Sequence, residues 1–321
     1  MPHSWAQDTR AHLTIEGRVA LSDHVPSEQE RLYAAHAEWL SQSRYLDFPL
    51  QIGIESRALC NASCDFCPYP SMKRKGDRMS DELLAKVLDD IEDLPTDLPL
   101  EVNLARMNEP FADKRVPDLA LELERRFPQV RLWFFTNASP LVGPVLDKIA
   151  VLECVDQFVV SFNDHRKSEY ERVMGLRYER TVANIDSLHS MSRDGLLQFT
   201  PLITRVGDNT DADQAFLDWT RERWPYFEHR VTNRYDWIGS VRTSVFGAVP
   251  YTGCWEWFHM PIHASGKVAW CTLDFEGDRA WGDVSGHHLL EIYNEPKRRA
   301  LRMRLPMRRD VTMCANCNHF G

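Results

Sequence analysis

Three cysteines crowd into one short stretch, Cys60-Asn61-Ala62-Ser63-Cys64-Asp65-Phe66-Cys67-Pro68, with C-x3-C-x2-C spacing. Three thiolates can hold three irons of a [4Fe–4S] cluster and leave the fourth iron open. Structural zinc takes four protein ligands, and ordinary ferredoxin-type clusters take four cysteines. A tight trio therefore suits a cluster whose free corner binds a substrate or cofactor.

Four more cysteines stand near the C-terminus: Cys254, Cys271 and the pair Cys314-Ala315-Asn316-Cys317. They make a closed ligand set, and spacing alone leaves tetrahedral zinc and a fully ligated [4Fe–4S] cluster both open. The eighth cysteine, Cys154, precedes a strand and so sits at the end of a parallel sheet away from the chemistry. It is expected to be a buried structural thiol. A reducing compartment favours ligand or catalytic roles over disulfides for such a set.

Positioning these thiols is the task of the elements between them. Short β-rich runs alternate with amphipathic ones from Gln51 onward, the pattern of βα units and a parallel sheet. Strands are expected at Leu50–Glu55, Leu100–Ala105, Val130–Thr136, Gln157–Phe162, Leu197–Thr204 and Glu228–Thr232. Helices are expected at Pro117–Arg126, Pro140–Ala150, Arg180–Met191 and Asp213–Arg223, with another starting after an N-cap at Ser80. Six such units predict an α/β fold, a partial (β/α)6 TIM-like barrel with a small cysteine-rich C-terminal domain. Its chemistry belongs at the carboxyl ends of the strands.

Before the barrel, Ser27–Ser43 reads as an amphipathic helix packed outside it. After about Ser240 the βα rhythm stops. Ile262–His263 and Lys267–Cys271 read as a hairpin around Ala264-Ser265-Gly266, followed by helical segments near His287–Tyr293 and Lys297–Leu305. The expected division is residues 1–48, an N-terminal helical extension; 49–240, the barrel; and 241–321, the auxiliary domain.

Composition narrows the function classes. The chain has 321 residues, 43% of them apolar, and a formal charge of −9. That charge argues against a phosphate-backbone partner, so no nucleic acid is expected. No signal-like or membrane-spanning run is read, so a soluble, cytoplasmic protein with no membrane partner is expected.

The cysteine trio with Phe66 just before its third member resembles the radical S-adenosylmethionine superfamily. That resemblance implies a 5′-deoxyadenosyl radical made from S-adenosylmethionine at a [4Fe–4S] cluster held by Cys60, Cys64 and Cys67. Asn108-Glu109-Pro110 resembles the family's Gly-Gly-Glu-Pro segment, which makes Glu109 the expected partner of the methionine ammonium, with Arg106-Met107-Asn108 replacing the usual small residues. Phe66, Asn137 of Thr136-Asn137, Ser161 and Asn163 are the other expected cofactor-binding residues. The stretch from Cys254 through Cys271 to Cys314 and Cys317 resembles the Twitch domain, a shortened relative of the SPASM extension. It implies that the small C-terminal domain is an auxiliary-cluster domain with a [4Fe–4S] cluster on those four cysteines, making two clusters in all.

The resemblance implies a small-molecule substrate and an external electron donor such as flavodoxin or ferredoxin. With no spare thiol at the active face, oxidation of a carbinol in a sugar, aminocyclitol or nucleoside-like metabolite is preferred. The alternatives are redox-neutral epimerisation with Tyr235 or Tyr251 as hydrogen donor, modification of a ribosomal peptide, and a non-catalytic cluster-binding protein. Arg205, Asp236 and Tyr235 are the expected catalytic residues, with His259 a further candidate base. Arg205 reads equally as a surface ion pair. Arg234, Tyr235, Asp236, Trp237 and Arg242 are expected to face substrate, whereas Trp255, Trp257, Trp270 and Trp281 are expected to pack around the second cluster.

Overall fold

The computed structural model describes residues 27–241 and 253–319. Helix α1 (Glu28–Gln42) opens with a capping box in which Ser27 and Glu30 exchange hydrogen bonds. Then follow β1 (Gln51–Ile54), α2 (Asp81–Glu92), β2 (Leu100–Asn103), α3 (Val116–Arg126), β3 (Val130–Thr136), α4 (Gly143–Ala150) and β4 (Val155–Ser161). Two helices, α5 (Lys167–Met174) and α6 (Tyr178–Arg193), lead to β5 (Leu202–Val206), α7 (Asp211–Arg223) and β6 (Glu228–Thr232). The C-terminal part adds β7 (His259–Ile262), β8 (Lys267–Val268), β9 (Gly282–Asp283), α8 (Leu289–Tyr293) and α9 (Pro296–Arg304).

Local sequence explains these elements. In α2, Leu84, Val87, Leu88 and Ile91 recur at helical spacing and are buried, while the Ser80 hydroxyl accepts from the Leu83 N–H at 3.1 Å. Each such fully buried aliphatic side chain contributes about 1.5–3 kcal/mol. In β3, Val130, Leu132, Phe134 and Thr136 turn inward as expected of a period of two. β5 starts five residues later than the sequence pattern suggests because Pro201 cannot donate to a ladder. α4 starts at Gly143, after Pro140 and Leu141 have formed a turn in which Leu141 N–H donates to Ala138 O. Helix α5, polar in sequence, had no counterpart in the expected elements.

Among the described residues the sheet has nine strands in the order β6-β5-β4-β3-β2-β1-β7-β8-β9. Strands β1 to β6 are parallel neighbours in sequence order, giving the six-unit partial barrel. Strand β7 lies parallel to β1, Gln51 opposite His259 and Ile54 opposite Ile262. The cysteine-rich tail therefore continues the barrel sheet. Met260, Ile262, Val268, Val284, Leu289 and Ile292 join the same core as Ile52, Val102 and Phe134.

Helix α1 covers the tail. Tyr33 and Leu40, buried on one face, pack with Cys254, Trp257, Phe258 and Cys314. The helix read as an outer decoration of the barrel is thus part of the second thiol site. Among the described residues, no helix is long and apolar enough to cross a membrane.

Candidate functional site

The loop after β1 carries Cys60, Cys64 and Cys67, all half-buried. It is pinned at both sides: Ser63 N–H donates to Met174 O, Asp65 N–H to Val173 O, and Cys67 N–H to Cys64 O. The partner segment ends α5 at Gly175, whose φ of 67° is left-handed. A Cβ there would meet Ser63 Oγ at 2.1 Å. The thiols lie close enough to disfavour one another's ionisation. Burial, with Glu109 and Cys67 nearby, pushes Cys60 up to about 12, and burial raises Cys67 to about 11. Cys64 is raised too, by burial and then by Cys67 and Cys60.

Glu109 is buried at the end of β2, where it caps the short helix Pro110–Ala112. Its carboxylate accepts from Thr136 Oγ1 at 2.7 Å, Asn137 N–H at 2.7 Å and Phe111 N–H at 3.3 Å. Burial still lifts its pKa to about 7. Asn137 in turn donates through Nδ2 to Asn61 Oδ1 at 2.9 Å and lies 4.0 Å from Cys60 Sγ. The ends of β2 and β3 and the thiol loop thus form one hydrogen-bonded mouth.

Asn163 holds a left-handed φ of 62°, and its amide is spent inside the protein. Nδ2 donates to Ser161 Oγ at 2.8 Å and reaches Met174 Sδ at 3.1 Å, while Oδ1 accepts Val206 N–H at 2.8 Å. It latches β4, β5 and the end of α5 together.

Arg205 is buried, which corrects the surface ion pair expected from sequence. It pairs with Asp164 at 3.1 Å, Asp208 at 2.9 Å and Asp213 at 2.8 Å, and also donates to Asn163 O. A guanidinium so engaged serves the strand ends as a structural tie. His259 is buried on β7 beside Glu256 at 3.3 Å. Arg242 and Tyr251 lie outside the described residues.

The segment after β6 spans both thiol groups. Arg234 stacks over Phe66 at 5.8 Å and pairs with Asp65 at 3.4 Å. Tyr235 meets His319 edge-on at 4.6 Å, next to Cys317, and Asp236 accepts Ile238 N–H at 3.0 Å. Trp237 donates from Nε1 to Phe66 O at 3.0 Å. It packs against Ala58, Tyr69, Met72, Met107 and Ala264, the apolar group on which Cys60 and Cys67 also lie, and against Cys271, Leu273 and Cys317.

In the tail, Cys254, Cys271, Cys314 and Cys317 are all buried and electrostatically coupled. Burial raises all four, Cys314 to about 12 and Cys317 to about 11. Trp257, Trp255 and Trp270 pack with them, and Trp270 stacks on Trp281 at 4.4 Å. The buried indole N–H groups of Trp257 and Trp270 face Cys314 without a conventional acceptor. Four buried thiols with sulfur-directed donors fit an anionic metal cluster, whose thiolates and sulfides would take those bonds. Among the described residues, no three His, Cys, Asp or Glu side chains converge so as to hold a single metal ion.

Two further residues carry no sequence signal of their own. Glu55, fully buried, pairs with Arg74 and accepts from Met107 N–H and Ala264 N–H, joining barrel to tail. Arg106 runs across Gly53, where a Cβ would meet its Cδ at 2.6 Å, and reaches Thr272 Oγ1 at 3.3 Å. The absent side chain of Gly53 on β1 makes the room that the Arg106 side chain occupies.

With this geometry in view, residues 254–318 match the SPASM family, described as an iron-sulfur cluster-binding domain. No curated protein matches the chain in sequence. Among solved structures, Streptococcus suis SuiB bound to precursor peptide SuiA aligns at TM-score 0.63 and 15% identity, over 91% of this chain and 75% of that one. BtrN in complex with AdoMet and 2-DOIA aligns at TM-score 0.52 and 14% identity, over 85% of this chain and 94% of that one. His-tagged anSMEcpe with bound AdoMet aligns at TM-score 0.58 and 14% identity, over 78% and 79%. The chain has the fold that these radical S-adenosylmethionine enzymes share. On that fold it carries a SPASM iron–sulfur cluster-binding domain.

Proposed function

We propose that the chain is a radical S-adenosylmethionine enzyme that oxidises a carbinol carbon in a sugar, aminocyclitol or nucleoside-like metabolite. Cys60, Cys64 and Cys67 would hold a [4Fe–4S] cluster with one open iron, which together with S-adenosylmethionine supplies a 5′-deoxyadenosyl radical for hydrogen abstraction. Glu109 holds the Asn137 backbone at the rim of that site and offers a negative charge to the methionine ammonium. Cys254, Cys271, Cys314 and Cys317 would hold a second cluster able to take the electron left on the substrate. Residues 27–48, 49–240 and 253–319 would then act as cover, barrel and electron-accepting module, with an external electron donor such as flavodoxin or ferredoxin as reductant.

The observation that carries this reading is Trp237, which donates to Phe66 O in the loop of the thiol trio and packs against the group formed by Cys271, Leu273 and Cys317. A substrate bound beside it would lie between the two thiol groups. The alignment with BtrN in complex with AdoMet and 2-DOIA supports a small-molecule substrate. A second reading, peptide modification, is supported by the alignment with peptide-bound SuiB.

The test is anaerobic reconstitution followed by product mass against a panel of aminocyclitols, sugars and short peptides. Oxidation removes two hydrogens, whereas epimerisation keeps the mass and takes up solvent deuterium. Failure to form 5′-deoxyadenosine on reduction with S-adenosylmethionine would remove the radical reading altogether.

A further inference from the structure

Segment 295–309, EPKRRALRMRLPMRR, carries seven cationic residues and one carboxylate in a chain of net charge −9. Three of the seven point inward. Arg298 and Arg302 lie over Tyr293, at 5.2 and 3.6 Å from its ring centre, and their guanidinium groups donate to His259 O and Leu46 O. These two hold α9 against the sheet.

Arg308 differs in where it points. It is fully buried, stacks over the Tyr33 ring at 4.9 Å and donates to His319 O, two residues beyond Cys317. The groups acting on its charge are Cys254, Tyr33, Cys317 and Cys314, in that order. Burial alone would ease its proton away, yet those neighbours hold it above even the ordinary arginine range. Tyr33 extends the arrangement: its oxygen accepts Trp255 N–H at 3.2 Å, which directs the hydroxyl proton to Cys254 Sγ at 3.3 Å.

We infer that Arg308 is a positioning residue for charge: a buried cation, stacked on the tyrosine that hydrogen-bonds Cys254 and bonded to the carbonyl two residues beyond Cys317, that raises the reduction potential of the cluster the four C-terminal thiols bind. The physics is general. A cluster on four thiolates is already anionic, and taking up an electron adds another negative charge inside a medium that screens poorly. A fixed guanidinium stabilises the reduced form more than the oxidised one, and hydrogen bonds to sulfur act in the same direction. Arginine suits the role because it stays charged when buried. The inference rests on the proposed function and deepens it, since a cluster so tuned is an electron acceptor.

The test is EPR-monitored redox titration of the reconstituted full-length protein. The two signals are told apart because S-adenosylmethionine perturbs only the one from Cys60, Cys64 and Cys67. Arg308→Gln is expected to lower the potential of the unperturbed signal by at least ~59 mV, a tenfold loss in the one-electron equilibrium. Arg308→Lys, which keeps the charge, is expected to move it by less than half as much. An unchanged potential in Arg308→Gln, or equal shifts in the two variants, overturns the inference. Should Arg308→Gln fail to hold the second cluster, Arg308→Lys decides: a retained cluster near the wild-type potential supports the charge, and a lost cluster overturns it. Wild-type iron no higher than that of Cys271→Ser would instead sink the second cluster itself, and the proposed function with it.

Discussion

The backbone N–H of Asn137 meets the Glu109 carboxylate at 2.7 Å, so the end of β3 is held by a buried acid from the end of β2. Thr136 Oγ1 and Phe111 N–H both donate to Oε1, which makes the carboxylate an organiser of the mouth as well as a charge and leaves one acceptor site open on Oε2. In Glu109→Gln an amide NH2 replaces one acceptor oxygen and confronts a donor. The expected cost is about 2 kcal/mol in urea denaturation. Affinity for S-adenosylmethionine, read by isothermal titration, should fall at least tenfold. A variant with wild-type stability and affinity would show that Glu109 does neither job.

Arg205 ties Asp164, Asp208 and Asp213 to the ends of β4 and β5. Burial would raise Asp164, but Arg166 and Arg205 hold its carboxyl below the ordinary range. Arg205→Met should therefore cost about 3–5 kcal/mol, the usual penalty for stranding a buried partner. Asp164→Asn in the same chain should recover part of that loss. If Arg205 were instead the proton acceptor of the reaction, Arg205→Lys would remove one limb of the pH–rate profile. The structural role predicts an unchanged profile.

Much of the mouth was legible because its residues carry local signals. The thiol spacing, the Ser80 cap, the period-two pattern of β3 and the extent of β6 need only near neighbours in sequence. What was hidden depends on long-range pairing. Nothing local says that β7 will lie beside β1, because a short apolar strand can join any edge. Nothing local turns Arg205, Arg298, Arg302 or Arg308 inward, since a charge run reads by default as a solvated face. Their partners are aromatic faces, carbonyls and thiols far along the chain, or carboxylates that only the strand ends bring together. Cys154 shows the same limit: it sits at the opposite end of the sheet as expected, but is half-buried, with its N–H on Glu124 at 2.8 Å.

Gly175 links α5 to the thiol loop through backbone geometry alone. Its φ of 67° disfavours any side chain, and a Cβ would push the Ser63 hydroxyl aside. Gly175→Ala should cost about 1–2 kcal/mol from the backbone. Adding Ser63→Ala should relieve only the contact, leaving the backbone cost. The readout is the denaturation midpoint together with iron bound per chain, which should drop because the loop loses its anchor.

His263, buried between Arg74, Arg106 and Lys267, supplies the clearest pH dependence. Burial and then those three cations depress its pKa from 6.5 to about 2. The unfolded chain then binds a proton below pH 6.5 that the folded chain refuses, so stability falls as pH falls through that window. Between pH 6.5 and about 5 the loss assigned to His263 is about 1–2 kcal/mol. His263→Gln should flatten the slope of stability against pH over the same interval. An unchanged slope would mean that the imidazole takes up its proton in the folded chain as readily as in the unfolded one.

Trp237 joins the two thiol groups at a backbone price. Trp237, Ile238 and Gly239 have consecutive φ values of 52°, 56° and 81°, a left-handed run that non-glycine residues avoid at roughly 1–2 kcal/mol each. The strain is offset by the indole, which donates to Phe66 O at 3.0 Å and packs against Cys271, Leu273 and Cys317. Trp237→Phe keeps the ring and loses the donor, an expected loss of about 1 kcal/mol. Trp237→Ala loses ring and donor while keeping the strain, whereas Trp237→Gly loses the same contacts but is free at this φ. The glycine variant should therefore be more stable than the alanine variant by about 1 kcal/mol, the reverse of the order in a helix or strand. Equal stabilities in urea denaturation would show that the left-handed run relaxes once the indole is gone, and that Trp237 holds residues 237–239 in that conformation.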